Sequence, residues 1–316
     1  MSGLLQFAGL DAVALPGRAL HVAIGMFDGV HLGHQSVIEA AIHSARRSGG
    51  LAGVLTFWPH PSALFRPDNP TRLIMSPEMK RQMLGGLGID FIIEQNFTRE
   101  YAQTEAHAFV GFLKRALPNL AAIYVGENWR FGRGRVGDVA LLIEEGRKAG
   151  ISVFSAPRLN HNGAPISSSR IRDLLVEGRI AEANALLGYT YASTGVVATG
   201  RQLGRTLGFP TLNLAWEPEL RPKLGVYVVK VANAAGKISE GVANYGLRPT
   251  VVQTTVPVLE VHLLGPVVAT YGDAVRVDWL NFIRPEAKFG GVEQLRAQIA
   301  EDRQAALDFF ASNKSI

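Results

Sequence analysis

The chain has 316 residues, of which 47% are hydrophobic and 19% charged, and 32 Lys and Arg outnumber 27 Asp and Glu. This composition is typical of a globular protein with an ordinary core, and the length favours two domains of about 150 residues each. The absence of cysteine excludes disulfides, thiolate metal sites and cysteine nucleophiles. The charge excess is modest and forms no dense basic run, so we expect no nucleic-acid partner.

The amino-terminal segment and the hydropathy pattern bear on the cellular location. The first twenty residues lack the charged region that precedes the apolar stretch of a signal peptide, and Asp11 interrupts them early. No apolar run approaches the ~18 residues that would span a bilayer. We therefore expect a cytoplasmic protein without a membrane partner, and the sequence leaves a homo-oligomer open.

The first half of the chain alternates short apolar runs with amphipathic stretches. Five strands are predicted, at His21–Met26, Leu51–Phe57, Asp90–Ile93, Ala121–Val125 and Ile151–Ser155. After the first of these strands, a helix is predicted by apolar residues that recur on one face, at Val37, Ile38, Ala41, Ile42 and Ala45. Strands that alternate with helices predict a mostly parallel sheet flanked by helices, and such sheets bind ligands at the carboxyl ends of their strands.

The second half of the chain has a different sequence pattern. Helical segments at about Ser169–Glu177 and Ile180–Leu187 lead out of the first half, and valine- and threonine-rich runs follow from about Tyr189. These runs predict strands at Thr194–Ala198, Gly225–Val231, Gly241–Asn244, Val256–Leu264 and Val275–Phe282. The turn signals between them favour an antiparallel sheet or a small barrel.

A last helix and a domain boundary complete the predicted architecture. One apolar stripe of that helix is predicted to comprise Val292, Leu295, Ile299, Ala306 and Phe310. Because the pattern changes near residues 185–190, we predict a first domain over residues 1–186 and a second over 187–316. The fold class is therefore α/β, with a parallel sheet in the first domain and an antiparallel barrel with a terminal helix in the second.

Gly25–His34 (GMFDGVHLGH) follows a predicted buried strand and opens an amphipathic helix. Glycines allow tight turns here, and a helix N-terminus offers N–H groups and a positive dipole end to a phosphate. His31 and His34 are three residues apart, so both can face the same side and donate hydrogen bonds to phosphate oxygens. One alternative is a pair of ordinary turn histidines. A zinc site is another, but the chain lacks the HExxH spacing here and has no cysteine.

His31–His34 (HLGH) resembles the HxGH signature of the nucleotidyltransferase superfamily, which transfers adenylyl or cytidylyl groups. The wider string resembles the FAD-synthetase module of bacterial bifunctional riboflavin kinase/FAD synthetases. Three later strings resemble the same module, namely Thr56–Pro61 (TFWPHP), Val125–Gly132 (VGENWRFG) and Ile166–Arg172 (ISSSRIR). Ser169 stands where threonine is usual and keeps the hydroxyl. The resemblance implies a Rossmann-like domain in which His31 and His34 are catalytic.

The same resemblance implies which residues bind the substrates of adenylyl transfer. The expected ATP-binding residues are Gly25, Phe27, Asn128, Ser168, Ser169 and Arg172. Serine hydroxyls before a helix can cap it or bind phosphate, and an arginine can neutralise a triphosphate. An asparagine at a strand end can reach adenine or ribose. His60 and Pro61 are expected to line the flavin pocket.

Gly200–Asn213 (GRQLGRTLGFPTLN) combines glycines with arginines, which suits a polyphosphate, although it is not a Walker A sequence. Thr211 and Asn213 alternate along an extended segment, so their oxygens point the same way and suit Mg²⁺. The segment PTLN resembles the PTAN motif of riboflavin kinases. The resemblance implies that ATP is bound by Gly200, Arg205, Gly208 and Thr211, and that Mg²⁺ is held by Thr211 and Asn213.

Glu260 interrupts the apolar strand pattern Pro257–Leu264 (PVLEVHLL), where alternation by itself also allows a solvent-facing residue. It matches the glutamate that riboflavin kinases use as general base toward the ribityl 5′-hydroxyl, which attacks the γ-phosphate of ATP. Arg284, in Phe282–Phe289 (FIRPEAKF), also matches the family and is expected to bind phosphate or to close the site. The resemblance covers about residues 20 to 310, with the motifs in family order.

Taken together, the two resemblances imply ATP-dependent phosphorylation of riboflavin to FMN, then adenylyl transfer from ATP to FMN, which yields FAD and pyrophosphate. The expected ligands are riboflavin, FMN, FAD, ATP and Mg²⁺. One alternative is a nucleotidyltransferase for a pantetheine or nicotinate nucleotide, which leaves PTLN and Glu260 unexplained. Another is a nucleotide- or nucleic-acid-binding protein that uses the barrel as a platform, against which stands the lack of an aromatic stacking series.

Overall fold

A computed structural model describes residues 3–199, 209–247 and 257–313. Contacts between residues divide the chain into two compact units, Met1–Ser168 and Ser169–Ile316. This division and the predicted domains, 1–186 and 187–316, differ in the segment 169–186. The domain boundary near residue 186 therefore stays a prediction.

The first unit contains one parallel sheet of six strands, which are β1 (Leu5–Phe7), β2 (Leu20–Ile24), β3 (Leu51–Trp58), β4 (Phe91–Asn96), β5 (Leu120–Gly126) and β6 (Ser152–Ala156). Its strand order is β1-β4-β3-β2-β5-β6. The helices of this unit are α1 (Leu32–Ser48), α2 (Pro61–Phe65), α3 (Pro77–Gly86), α4 (Arg99–Ala102), α5 (Ala106–Ala116) and α6 (Val139–Lys148). A short hairpin, β7 (Asn160–His161) with β8 (Ala164–Pro165), follows β6. All five predicted strands are present, and β1 is an additional strand.

The core of the first unit forms where the predicted apolar positions meet the sheet. All five residues of β2 are buried, and β3 is buried except at its last residue. The predicted face of α1 is confirmed, since Val37, Ile38, Ala41, Ile42 and Ala45 are its buried residues. Each fully buried Val, Leu or Ile side chain contributes about 1.5–3 kcal/mol relative to an exposed one, so this face fixes α1 on the sheet.

The strand order places a crevice at the carboxyl end of β2. Strands β3 and β4 follow β2 on one side, whereas β5 and β6 lie on its other side. The chain therefore leaves β2 and β5 in opposite directions, which is the arrangement in which open α/β sheets bind ligands. The loop after β2 begins at Gly25 and the loop after β5 begins at Glu127, so both motifs of those loops reach this crevice.

The second unit contains a closed antiparallel barrel, and the predicted fold class is confirmed. Helix α7 (Ser168–Glu177) begins at the unit boundary, and α8 (Ile180–Leu187) precedes the barrel. The described strands are β9 (Ala192–Ala198), β10 (Thr211–Ala215), β11 (Gly225–Asn233), β12 (Ile238–Leu247), β13 (Pro257–Leu263) and β14 (Ala274–Pro285). Around the barrel their order is β10-β13-β12-β11-β14-β9, and α9 (Val292–Ser312) follows.

Aromatic side chains fill the barrel. Trp279 is fully buried, and its ring centroid lies 4.6 Å from that of Tyr227 and 5.8 Å from that of Tyr245. The indole N–H of Trp279 donates to Ser193 Oγ at 3.0 Å, so the one polar atom of this side chain is satisfied inside the core.

The predicted apolar stripe of α9 is wrong at its start. Val292 is 60% exposed, whereas the buried residues of this helix are Asp302, Ala306 and Phe310. The stripe is confirmed at Ala306 and Phe310, and Asp302 on the same face binds Arg284 of β14. Within the described ranges, no helix combines the length and apolar composition needed to cross a membrane.

Candidate active sites

His31 and His34 form a stacked pair at the start of α1. His31 is the N-cap, and its Nδ1 accepts a hydrogen bond from the backbone N–H of His34 at 3.3 Å. The two rings lie nearly parallel with their centroids 3.6 Å apart. Because Nδ1 of His31 accepts, the neutral ring carries its proton on Nε2. Both imidazoles line one cleft, as the spacing of the HLGH string predicts.

The glycines of the same string make room for aromatic rings. Phe27 adopts a positive φ of 50°, and a Cβ on Gly25 would lie 3.0 Å from its ring. The Phe27 ring in turn contacts His34 edge-on, with centroids 5.3 Å apart. A positive φ at a residue other than glycine costs about 1–3 kcal/mol and persists only when the surrounding structure holds it. Phe27, which is expected to bind ATP, is therefore also a buried support for His34.

Hydrogen bonds fasten the histidine loop to other parts of the first unit. The buried Asp28 carboxylate accepts from the backbone N–H of Ile74 at 3.0 Å, and the Asp28 carbonyl accepts from the Ser168 hydroxyl at 2.9 Å. The Thr56 hydroxyl donates to the Met26 carbonyl at 3.2 Å. Ser168 and Thr56 belong to the ISSSRIR and TFWPHP strings. The structure therefore connects both of these motifs to the loop of the GMFDGVHLGH string.

Lys80 is a buried residue of this region that no sequence motif indicates. Its ammonium donates to Thr56 Oγ1 at 3.1 Å, and its side chain is almost fully buried. Burial lowers the pKa of Lys80, while the nearby Glu94 and Asp28 carboxylates act in the opposite direction. In sequence it looks like an ordinary helix lysine, so only the burial of its position in α3 could have drawn attention to it.

A cleft of about 220 Å³ lies at the carboxyl ends of β2 and β5. Its walls include Gly25, Phe27, His31, His34 and Asn128, which the sequence predicts as catalytic or ATP-binding residues. The remaining lining is largely apolar, with Trp129, Leu159 and Ile166 among it. A phosphate at the N-terminus of α1 and a planar base against apolar walls both suit this arrangement.

His60 and Pro61 are placed at the start of α2. His60 is the N-cap of this helix, where its Nδ1 accepts from the backbone N–H of Ser62 at 3.1 Å, and Pro61 is the first helical residue. A small cavity of about 10 Å³ is lined by His60 together with Asp28, Trp58 and Lys80. The cap fixes the start of α2, and the role of both residues in flavin binding stays a prediction.

Ser169 and Arg172 lie on α7, within the second unit. The opposite face of that helix, at Ile171, Leu174 and Leu175, is buried, whereas Ser169 is exposed and Arg172 half-buried. Their expected role toward the ATP triphosphate stays a prediction.

The second candidate site lies on the barrel. Asn213 on β10 and Asn244 on β12 are the two cross-strand neighbours of Glu260 on β13. Residues directly opposite in an antiparallel sheet project from the same face, so these three polar side chains share one face of the barrel wall. The flanking residues Leu259 and Val261 are fully buried on the other face, as the alternating pattern requires. Asn213 itself is buried.

His262 anchors the PTLN segment and was missed from the sequence. Its Nδ1 donates to the Pro210 carbonyl at 2.9 Å, and it lies directly opposite Thr211 in the sheet. A histidine two residues after a glutamate in a strand shares the face of that glutamate, and this spacing is the signal that could have identified it. Gly200, Arg205 and Gly208 lie outside the described residues.

Arg284 binds a carboxylate of its own unit. Its Nε and Nη2 donate to Oδ1 and Oδ2 of Asp302 at 2.7 Å each, and its guanidinium lies 5.7 Å from the centre of the Phe289 ring. This paired geometry fastens α9 to β14. The expected role of Arg284 in phosphate binding or closure of the site stays a prediction.

Comparison with known proteins places this geometry in a family. Residues 16–170 match the family model for FAD synthetase, and residues 187–310 match the family model for riboflavin kinase. The chain is 36% identical to the bifunctional riboflavin kinase/FMN adenylyltransferase of Escherichia coli strain K12, over 95% of each chain. The chain belongs to this family. A bifunctional riboflavin kinase/FMN adenylyltransferase of Listeria monocytogenes is 37% identical over 92% of each chain.

Membership of the bifunctional riboflavin kinase/FMN adenylyltransferase family confirms the predicted resemblance and enzyme class, a transferase of flavin cofactor biosynthesis. The riboflavin-kinase match covers the barrel, which the alternative nucleotidyltransferases leave unexplained. A crystal structure described as a macrolide-efflux protein from Streptococcus pneumoniae is similar with a TM-score of 0.86 and 28% identity. It covers 96% of this chain and 98% of its own.

Proposed function

We propose that the chain phosphorylates riboflavin at the barrel and adenylylates the resulting FMN at the HLGH cleft, with ATP as co-substrate of both reactions. The observation that carries this proposal is the grouping of side chains. His31, His34 and Asn128 line one cleft of the first unit, and Asn213 and Glu260 face each other on the barrel. Each group of side chains suits the chemistry of one of the two reactions, and family membership supports both reactions.

Adenylyl transfer needs alignment and charge stabilisation more than a base. An oxygen of the FMN phosphate attacks the α-phosphorus of ATP, a new P–O bond forms, and the bond to the pyrophosphate oxygen breaks. An ionised phosphate is already a nucleophile, so no proton is removed by the protein. The N-terminus of α1 and the imidazole N–H groups of His31 and His34 donate to the oxygens on which negative charge grows. Asn128 holds the nucleoside of ATP in the same cleft.

Riboflavin phosphorylation does need a base. The Glu260 carboxylate accepts the proton of the ribityl 5′-hydroxyl as that oxygen attacks the γ-phosphorus of ATP. A P–O bond forms at the hydroxyl oxygen, the bond between the β- and γ-phosphates breaks, and ADP leaves. The proton ends on Glu260 and passes to solvent.

Mg²⁺ fits the residues beside Glu260. Thr211 and Asn213 offer a hydroxyl and an amide oxygen at alternate positions of β10, and both are hard ligands of the kind Mg²⁺ prefers. We propose that these two residues hold it. When bound, Mg²⁺ neutralises charge on the triphosphate. The glycines and the arginine at 200, 205 and 208 complete the proposed ATP site of the kinase.

Further parts of the proposal follow the family resemblance. Ser169 and Arg172 bind the triphosphate of the adenylyltransferase, and His60 and Pro61 contact its flavin. Arg284 closes the kinase site through its attachment to α9. The adenylyltransferase domain comprises residues 1–186 and the kinase domain residues 187–316. The protein acts in the cytoplasm without a nucleic-acid or membrane partner, and a homo-oligomer is compatible with both sites.

The test is a product analysis. Purified protein is incubated with riboflavin, ATP and Mg²⁺, and flavins are separated by chromatography over time. We expect FMN to appear first and FAD later, and an excess of EDTA to stop both. FAD formed from added FMN but never from riboflavin would contradict the kinase half. FMN that accumulates without FAD would contradict the adenylyltransferase half.

A further inference from the structure

Arg158 lies against the side chain of Asn128. Arg158 follows β6, and it lines the same cleft of about 220 Å³ as Asn128, His31 and His34. When the Asn128 amide is oriented with its oxygen toward Arg158, Oδ1 accepts hydrogen bonds from Arg158 Nε at 2.6 Å and Nη2 at 3.1 Å. The opposite orientation of the amide would place its NH₂ group against these guanidinium N–H groups. The two bonds therefore select one of the two orientations of the carboxamide.

A carboxylate also lies near Arg158. Its Nε lies 4.0 Å from Glu127 Oε1, on the residue that precedes Asn128. A planar guanidinium that contacts an amide oxygen twice leaves little freedom for rotation of either group. The Asn128 oxygen is thus occupied by Arg158, and the NH₂ is the part of the amide that remains for a ligand. The wall of the cleft offers a hydrogen-bond donor at this position.

We propose that Arg158 is a positioning residue that determines nucleotide specificity of the adenylyltransferase, by presenting Asn128 to the base as a donor only. Adenine carries ring-nitrogen acceptors, and its Watson–Crick edge has an acceptor at N1 where guanine has an N–H donor. A fixed donor therefore matches adenine and opposes the N1–H of guanine. An amide released from Arg158 can rotate and offer its oxygen to guanine instead. This inference rests on the proposed function, in which Asn128 holds the nucleoside of ATP.

The neighbouring residues agree with a base at this place. Leu159 and Ile166 supply apolar surface for a planar ring, while the histidines and the N-terminus of α1 lie on the phosphate side of the cleft. Arg158 belongs to none of the strings that resemble the family motifs, since it falls between VGENWRFG and ISSSRIR. No sequence motif therefore indicates a role for Arg158. Its contact with Asn128 is the observation that does.

The experiment compares the ratio of kcat/KM for ATP to that for GTP in FAD formation from FMN. Arg158→Ala removes both contacts, and Arg158→Lys keeps the charge but not the paired geometry. Asn128→Asp replaces the NH₂ donor by an acceptor at the same position. Arg115→Ala is the matched control, because Arg115 is an exposed arginine of the same unit outside the cleft. Thermal unfolding of each preparation reports on folding of the first unit, and riboflavin kinase activity reports on the second.

We expect the wild type to prefer ATP and both Arg158 variants to lower the ATP-to-GTP ratio about tenfold, chiefly by raising KM for ATP. Asn128→Asp should lower it at least as much, and Arg115→Ala should leave it unchanged. An unchanged ratio in both Arg158 variants, with a changed one in Asn128→Asp, overturns the positioning role. An unchanged ratio in all variants overturns the placement of the base. A wild type that makes no FAD overturns the proposed function and this inference with it.

Discussion

Glu260 on β13 lies directly opposite Asn213 on β10, so the proposed base and the proposed metal ligand project from one face of the barrel. Neighbouring residues of β13 are buried on the other face, which prevents Glu260 from turning into the core. The geometry therefore ties proton removal and metal binding to one small area of the second unit, whereas the histidine pair belongs to the first unit. Substitutions should separate the two activities accordingly.

Glu260→Gln should lower riboflavin phosphorylation by about 10²–10⁴-fold, because glutamine keeps the shape but cannot accept the hydroxyl proton. FAD formation from added FMN should stay at the wild-type rate. Both rates can be followed by chromatography of the flavins. Glu240→Gln is the matched control, since Glu240 is an exposed glutamate on β12 of the same barrel. Wild-type FMN production by Glu260→Gln would show that Glu260 is not the base.

His31→Ala should lower FAD formation from FMN by about 10²-fold or more, as expected for the loss of a donor to a developing oxyanion. The substitution also removes the cap of α1 and the ring that stacks on His34. His31→Asn separates loss of the cap from loss of the imidazole, because asparagine is a good N-cap but carries no ring. We expect His31→Asn to be as inactive as His31→Ala while unfolding at the wild-type temperature.

His43→Ala is the control for the histidine substitution, because His43 is an exposed histidine of the same helix. Its FAD formation should equal that of the wild type. Riboflavin kinase activity should be unchanged in all of these variants. A His31→Asn enzyme with wild-type FAD formation would mean that the cap, and not the imidazole, is what the reaction requires.

The sheet and the barrel could be predicted from the sequence because their strands are buried on known faces. Continuous apolar runs predict the parallel strands. Alternation of buried and less buried residues in Pro257–Leu263 predicts β13, with Glu260 on the face opposite the core. Strand β1 was not predicted, since it has only three residues and two of them are exposed. A pairing with β4, and not its own pattern, makes it a strand.

The motifs located the two candidate sites, but not the residues that hold them in position. Lys80, Arg158 and Asp302 act through partners that are 24, 30 and 18 positions away in the chain. An apolar pattern cannot indicate such polar contacts, because it records only which residues avoid water. Asp302 lies in the gap of the predicted stripe between Ile299 and Ala306, where the apolar pattern gives no sign of a buried carboxylate.

Arg284→Met should destabilise the second unit by about 3–5 kcal/mol, because it leaves the buried Asp302 carboxylate without its cation. Asp302→Ala should cost less, since the Arg284 side chain is 21% exposed and can reach water. The free energy of unfolding can be measured by urea denaturation. Arg276→Ala is the control, because the Arg276–Asp278 pair is more exposed and should contribute about 1 kcal/mol or less.

Arg284→Lys distinguishes an anchoring arginine from a substrate-binding one. Lysine keeps the charge beside Asp302 but loses the paired hydrogen bonds. If Arg284 acts through α9, stability and kinase activity should fall together in Arg284→Lys and Asp302→Ala. Loss of kinase activity in Arg284→Lys at unchanged free energy of unfolding would instead indicate direct contact with a phosphate.

Lys80→Met should raise the free energy of unfolding at neutral pH, because burial of the ammonium is costly and lowers the pKa of Lys80 below its unfolded value of 10.5. Between the lowered folded pKa and 10.5, the unfolded chain binds more protons than the folded one, so the wild type gains stability as pH rises through this window. The advantage of Lys80→Met should therefore shrink toward pH 10.5. Lys148→Met is the control, since Glu144 and Glu145 raise the pKa of Lys148.

The same variant should lower FAD formation, because the Lys80 ammonium holds Thr56, which holds the Met26 carbonyl of the histidine loop. Higher stability together with lower activity would show that Lys80 serves the loop at the expense of stability. Denaturation curves at pH 7 and pH 10, combined with chromatography of FAD, give both quantities. If Lys80→Met instead unfolds more easily at pH 7, the ammonium stabilises the fold, and the nearby Asp28 and Glu94 carboxylates outweigh the cost of burial.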